Sequence, residues 1–191
     1  SSFTGQDSDL SRFGAASDGK HEGRKELGLL ASFHPHVYVC STSTAFQGHF
    51  LKSTLEMLNY TSGPAVMDVY TPCGSEHGIP EAASNARARL AVESRMNPLF
   101  VHDPRRGDTL HDWFTIEGNP DPDKDWTTTT LQYLDDAGTL QLMTTPLTPA
   151  EFALGEVRFK KQFRLLDAEH EADAVPIDAY IGLPTAQRAG H

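Results

Sequence analysis

Apolar and polar residues fall into short blocks along this chain, and each block predicts an element. Leu27, Leu29 and Leu30 place a helix over 24–33. His34-Pro35 ends it, because proline disfavours helix in the residue before it. Val37-Tyr38-Val39-Cys40 is rich in β-formers and predicts a strand. The polar cluster Ser41-Thr42-Ser43-Thr44 suits a helix start. Leu51, Leu55 and Leu58 then recur at helical spacing over 45–59, with Phe46 and Phe50 beside them. Gly63-Pro64 breaks the chain, and Ala65–Tyr70 is a second apolar strand.

Strand, helix and strand in this order make a βαβ unit. Both strands are nearly continuous in apolar residues, which is the pattern of a parallel sheet covered on both faces. Pro80 then stands where the first turn of a helix tolerates proline. The alanines over 81–95 let that helix lie close to a sheet, and 98–101 predicts a third strand. Residues 103–127 are rich in Asp, Pro and Gly and read as a long excursion. Thr128–Leu134 and 139–143 flank Asp135-Asp136-Ala137-Gly138, a hairpin pattern. Thr148-Pro149-Ala150-Glu151 has capping-box spacing with proline at the first helical position. Phe152, Phe159 and Phe163 fall on one face of the helix it opens. The first 25 residues read as polar loop, with a short turn of helix near Leu10 to Ala16. The last 25 are acidic and alanine-rich. There is no internal repeat, and the chain reads as a piece cut from something longer.

The predicted fold class is therefore α/β: a mostly parallel sheet with helices on both faces, plus a C-terminal hairpin and helix. Residues 1–104 form the α/β core, incomplete at its N-terminus, and 105–191 form the excursion, hairpin and helical extension. With 191 residues and 38% hydrophobic content, the chain needs neither disulfides nor a metal merely to fold. Two distant cysteines argue for a reducing compartment. No apolar run approaches the ~18 residues of a membrane span, and no signal peptide opens the chain. A cytoplasmic setting is expected, with no membrane. Sixteen basic residues against twenty-six acidic ones give a net charge of −10 and no polybasic stripe, which disfavours nucleic acid as a partner.

Several motifs fail on inspection. The carboxylates of Asp121, Asp123 and Asp125 alternate as in a calcium loop, but the sixth and twelfth positions hold Trp126 and Gln132. His34 and His36 lack a further zinc ligand nearby. No nucleophile elbow, phosphate loop or zinc-protease motif occurs. Thr4-Gly5-Gln6-Asp7-Ser8 is a small polar loop able to approach a ligand. Cys40 ends a strand and reads as a buried, inert thiol. Cys73 lies beyond the carboxyl end of a parallel strand, where open α/β sheets bind ligands. Pro72 precedes it, and Gly74 and Gly78 follow. These residues alone leave a structural and a functional thiol both open.

The segments around these residues resemble a known family. S-S-F-T-G-Q-D-S (1–8) is similar to S-N-T-G-G-Q-x-S. G-R-K-E-L-G-L-L-A (23–31) with H-V-Y-V (36–39) is similar to K-K-D-L-G-x-I-A followed by x-V-Y-V. Y-T-P-C-G-S-E-H-G-I (70–79) with L-A-V-E-S-R-M-N-P-L-F (90–100) is similar to Y-x-x-C-x-x-x-G-(I/L) followed by x-A-V-x-S-x-x-W-P-L-(F/Y). These patterns belong to the thiamine-diphosphate-binding domain near the C-terminus of pyruvate:ferredoxin (flavodoxin) oxidoreductases, within the 2-oxoacid oxidoreductases. The resemblance covers about residues 1 to 104 and continues weakly into E-V-R-F (156–159).

The resemblance implies that Cys73 is the last thiolate ligand of a [4Fe-4S] cluster, which takes four. It implies that Ser2, Thr4, Gly5 and Gln6 belong to a thiamine diphosphate loop. Ser2 stands where the family has asparagine, and Thr4 where it has glycine. The G-D-G segment that holds Mg2+ and the other three cluster ligands lie upstream in the family, so this chain alone is expected to be inactive. No residue is assigned to proton transfer. The parent enzyme is expected to decarboxylate a 2-oxoacid, in the first instance pyruvate. Electrons go to ferredoxin or flavodoxin, coenzyme A takes the acyl group, and a homodimer is usual. Two other readings stand beside this one: a non-catalytic α/β interaction module, and a thiamine-dependent decarboxylase or synthase without iron–sulfur clusters.

Overall fold

The structure is a computed structural model that describes residues 3–7, 19–135 and 137–163, together with 175, 183, 184 and 187. The predicted turn of helix near Leu10 and most of the acidic C-terminal stretch lie outside the described residues.

At its centre are β1 (Tyr38–Ser43) and β2 (Ala65–Tyr70), joined by helix α2 (Gln47–Leu58). They pair in parallel, from Tyr38 opposite Ala65 to Ser43 opposite Tyr70. All six residues of β1 are buried, which accounts for its apolar start. The polar cluster continues the strand instead of capping a helix. Ser41 Oγ donates to the Pro98 carbonyl at 3.2 Å, and Thr42 Oγ1 meets His49 Nδ1 at 2.8 Å. These bonds satisfy hydroxyls that burial would otherwise penalise. Helix α2 instead begins after Phe46, with no side-chain cap.

On the other side of β1 lies β3 (Phe100–His102), with Val39 opposite His102 and Ser41 opposite Phe100. It runs antiparallel, and β4 (Phe114–Thr115) pairs antiparallel with β3. The order is β2-β1-β3-β4. The α/β class is as expected, but the sheet is mixed, with only β1 and β2 parallel. A parallel third strand needs a helix that returns the chain to the amino end of β1. Here the chain enters β3 beside Ser41, toward the carboxyl end, after a tight turn with Arg95 at φ 61°.

Helices lie on both faces. Tyr38 OH reaches the Ser53 carbonyl of α2 at 3.2 Å. A Cβ on Gly28, in α1 (Leu27–Ser32), would lie 2.8 Å from the Phe100 ring and 3.8 Å from Ser41 Cβ. Tyr38 and Ser41 have opposite parity in one strand, so the two helices take opposite faces. The leucines that predicted these helices face outward. Leu27, Leu29 and Leu30 of α1, and Leu51, Leu55 and Leu58 of α2, are all exposed. Gly28 and Ser53 make the close contacts because small residues allow near approach to the sheet.

The helix expected over 81–95 splits into a 3-10 turn (Glu81–Ala83) and α4 (Ser84–Glu93). The excursion carries a second short turn, α5 (Leu110–Trp113), with a capping box at Thr109. Strands β5 (Thr128–Leu134) and β6 (Leu140–Pro146) form the expected hairpin as a separate two-stranded sheet. Helix α6 (Pro149–Leu154) has the predicted capping box, Thr148 with Glu151. It ends sooner than expected, and a 3-10 segment (Val157–Gln162) follows. The three phenylalanines still converge: Phe152 and Phe159 are buried with Phe3 and Ala91, and Phe163 packs on them. This cluster joins the N-terminal loop, α4 and α6. A second cluster joins Tyr38, Cys40 and Val101 of the sheet to Tyr60, which follows α2. Among the described residues, no helix is long and apolar enough to cross a membrane.

Candidate functional site

Past Tyr70 the chain leaves the sheet through Thr71 and Pro72, and Cys73 forms the N-cap of the four-residue turn α3 (Gly74–His77). Pro72 and the extended conformation of Cys73 (φ −103°, ψ 116°) turn the thiol outward. It is exposed, whereas Cys40 is buried. The Cys73 thiol pKa is lowered, first by the Ser75 hydroxyl at 3.4 Å and then by the Glu76 and Ser75 backbone N–H groups. Burial raises that of Cys40. An accessible thiol with stabilised thiolate has the properties of a metal ligand or nucleophile. Gly78 closes the turn in the left-handed region at φ 65°.

The N-terminal loop lies against this turn. Gly5, at φ 80°, donates to the Lys20 carbonyl at 2.7 Å, and Lys20 N donates to the Gln6 carbonyl at 3.0 Å. Thr4 is exposed and its hydroxyl donates to the Glu22 carbonyl. Gln6 is buried, and its amide is engaged at both ends. Oε1 accepts from Phe3 N at 3.2 Å and Arg158 Nη1 at 3.0 Å, while Nε2 donates to Glu76 Oε1 at 3.5 Å. Gln6 is thereby brought beside α3, three residues from Cys73 through Glu76. Ser2 lies outside the described residues.

Arg158 and Glu156 complete the surroundings. Arg158 Nε pairs with Glu156 Oε2 at 2.6 Å, and Nη2 reaches Tyr70 OH at 3.5 Å. Arg87 Nε stands 3.5 Å from Glu156 Oε1, and its other end donates to the Phe152 carbonyl. His77 Nδ1 is 3.9 Å from Glu156 Oε2. Burial first, then Arg158 and Arg87, pushes the His77 pKa down to about 4, so the ring is neutral at pH 7 and this contact is not an ion pair. Burial, with Glu156 beside it, pushes Tyr70 up to about 12. The sequence signal that pointed toward this network was the weak resemblance continuing into E-V-R-F (156–159).

A cavity of about 190 Å3 opens here, lined by Phe3, Arg24, Asp68, Tyr70, His77 and Arg158 among others. Pockets that enclose a whole cofactor run to roughly 300–1,000 Å3. Among the described residues, no three His, Cys, Asp or Glu side chains are placed to hold a metal. Cys73 is not among the residues that line this cavity. A larger cavity, about 560 Å3, lies between α2 and α4 and shares no residue with this one.

The α/β scaffold presents an exposed thiol beyond the carboxyl end of its parallel strands, the place where open α/β sheets bind ligands. No family model matches the chain. It is 31% identical over 182 residues to the pyruvate:ferredoxin oxidoreductase of Moorella thermoacetica, covering 89% of this chain and 13% of that protein. It is 33% identical over 90 residues to a probable pyruvate-flavodoxin oxidoreductase of Escherichia coli, covering 47% of this chain and 8% of that protein. Over 90 residues it is 36% identical to the pyruvate-flavodoxin oxidoreductase of Trichormus variabilis, covering 47% and 7%. The chain belongs to the pyruvate:ferredoxin/flavodoxin oxidoreductase family, and it corresponds to a small segment of its members.

Proposed function

We propose that the protein containing this chain oxidatively decarboxylates a 2-oxoacid, with pyruvate the first candidate. The balanced reaction takes one 2-oxoacid anion and one coenzyme A thiol. It gives one acyl thioester, one carbon dioxide, one proton and two electrons, and the electrons pass singly to ferredoxin or flavodoxin. Thiamine diphosphate, with its Mg2+, supplies carbanion stabilisation when bound, and iron–sulfur centres carry the electrons.

In this chain, Cys73 donates its thiolate to a [4Fe-4S] cluster. The loop of Thr4, Gly5 and Gln6, with Ser2 before it, forms part of the thiamine diphosphate site. The carrying observation is the exposed Cys73 thiol on a turn that contacts the Gly5-Gln6 loop through Glu76 and Gln6. The fit of the residues is partial by design. One thiolate and one loop wall imply that other parts of the protein supply the remaining ligands.

The test is iron and sulfide analysis of the full-length protein, together with pyruvate-dependent reduction of ferredoxin or flavodoxin. Cys73→Ala should lose occupancy of one cluster and at least 90% of the reduction rate. Full cluster content and full rate in that variant would overturn the ligand assignment.

A further inference from the structure

The 156–158 segment touches both halves of the candidate site, and nothing in the chemistry proposed above requires it. On the loop side, Asp7 N donates to the Arg158 carbonyl at 2.5 Å and Arg158 Nη1 donates to Gln6 Oε1 at 3.0 Å. The guanidinium also lies 5.1 Å from the Phe3 ring centroid. On the cysteine side, a Cβ at Gly78 would collide with the Val157 side chain, so the end of α3 rests directly on this segment. His77 faces Glu156 in the same place. Arg158 and Glu156 are 5% and 2% exposed. Burying a charged pair has a large desolvation cost, and a hydrophobic pair of equal volume is often as stable. The pair here makes directional contacts that a hydrophobic pair cannot make.

We infer that Arg158, oriented by Glu156, is a positioning residue. It holds the Gln6 amide so that the Gly5-Gln6 loop and the turn bearing Cys73 keep one fixed relation. Gln6 is the joint between them. Its carbonyl oxygen faces Arg158 and Phe3 N and its amide nitrogen faces Glu76, so loss of the guanidinium removes the shorter of the two bonds to Oε1 and loosens the amide. The C-terminal segment thus sets the geometry between two site elements 152 and 85 residues upstream of Arg158. The link of this geometry to cofactors rests on the function proposed above, but the mechanical coupling does not.

The first experiment measures amide hydrogen exchange in this chain for wild type, Arg158→Gln, Arg158→Lys, Gln6→Ala and the Gln6→Ala/Arg158→Gln double variant. The amides of Asp7, His77 and Ile79 report, since each is hydrogen-bonded in the wild type. Arg158→Gln and Gln6→Ala should each speed exchange at His77 and Ile79 at least fivefold. The double variant should be no faster than the faster single one, and Arg158→Lys should restore part of the protection. Thr109→Ala removes the cap of α5 in the excursion and controls for general destabilisation, so its His77 and Ile79 rates should stay within twofold of wild type. Rates within twofold of wild type in Arg158→Gln, or independent additive effects in the double variant, overturn the inference.

The second experiment uses the full-length protein. Arg158→Gln should keep its iron content and shift the electron paramagnetic resonance spectrum of the reduced protein. It should also weaken thiamine diphosphate binding at least fivefold. A wild-type protein with neither cofactor would refute the proposed function and leave the exchange result standing. An unchanged spectrum with unchanged affinity would refute the positioning role in a protein that does carry both.

Discussion

Phe152→Ala tests whether the C-terminal segment belongs to the core. Phe152 is fully buried and packs with Phe3, Ala91 and Phe159. Truncating a buried phenylalanine to alanine costs about 3–5 kcal/mol, part from lost transfer energy and part from the cavity left behind. The Arg87 guanidinium lies 4.8 Å from the ring centroid, and that contact adds about 0.5–1 kcal/mol. We expect a total loss of about 4–5 kcal/mol, against the roughly 5–15 kcal/mol typical of a folded domain. At a urea dependence of about 2 kcal/mol per molar, the unfolding midpoint should fall by about 2 M. Urea titration followed by circular dichroism and tryptophan fluorescence provides the assay. Phe152→Leu, which keeps most of the volume, should lose less than half as much, on the order of 1.5 kcal/mol. A loss below about 1 kcal/mol for Phe152→Ala would refute the packing of 149–163 against Phe3 and α4.

Leu51→Ala is the converse case. This leucine was a main signal for α2, but it faces outward, so its truncation should change stability by no more than about 0.5 kcal/mol in the same titration. Burial lowers the His49 pKa below the usual 6.5. The unfolded chain therefore takes up the proton first as pH falls. Stability should drop below pH 6.5 by an amount that His49→Gln removes, read as the difference between the two urea-midpoint profiles over pH 5 to 8; identical profiles would refute it.

Local signals were legible in the sequence and long-range ones were not. The order β1-α2-β2, the hairpin around Asp135 to Gly138 and the Thr148 capping box each depend on residues close together in the chain. The direction of β3 depends on where α4 delivers the chain, which the run 98–101 does not encode. The leucine spacing identified the helices but not which side they turn to the sheet, because Gly28 and Ser53 carry the contacts. At the site, Cys73 stood out because a thiol flanked by proline and glycine is unusual after a strand. The inward engagement of Gln6 was hidden, since its partner Arg158 is 152 residues away. Phe152, Phe159 and Phe163 were read as one face, and they do meet, although the helix breaks at Gly155 between them.

The sheet ends differently on its two sides. Strand β4 is two residues long and offers little to a neighbour. On the opposite side, β2 has no partner beyond β1 among the described residues, and its Ala65 and Val66 are exposed. Natural proteins blunt such margins with lysine, proline or a bulge. Within A-V-M-D-V-Y only Asp68 carries charge. Among the described residues, the outer edge of β2 is thus the longer open margin of the four-stranded sheet, six residues against two in β4. A neighbour that settles there must bring an extended backbone of its own.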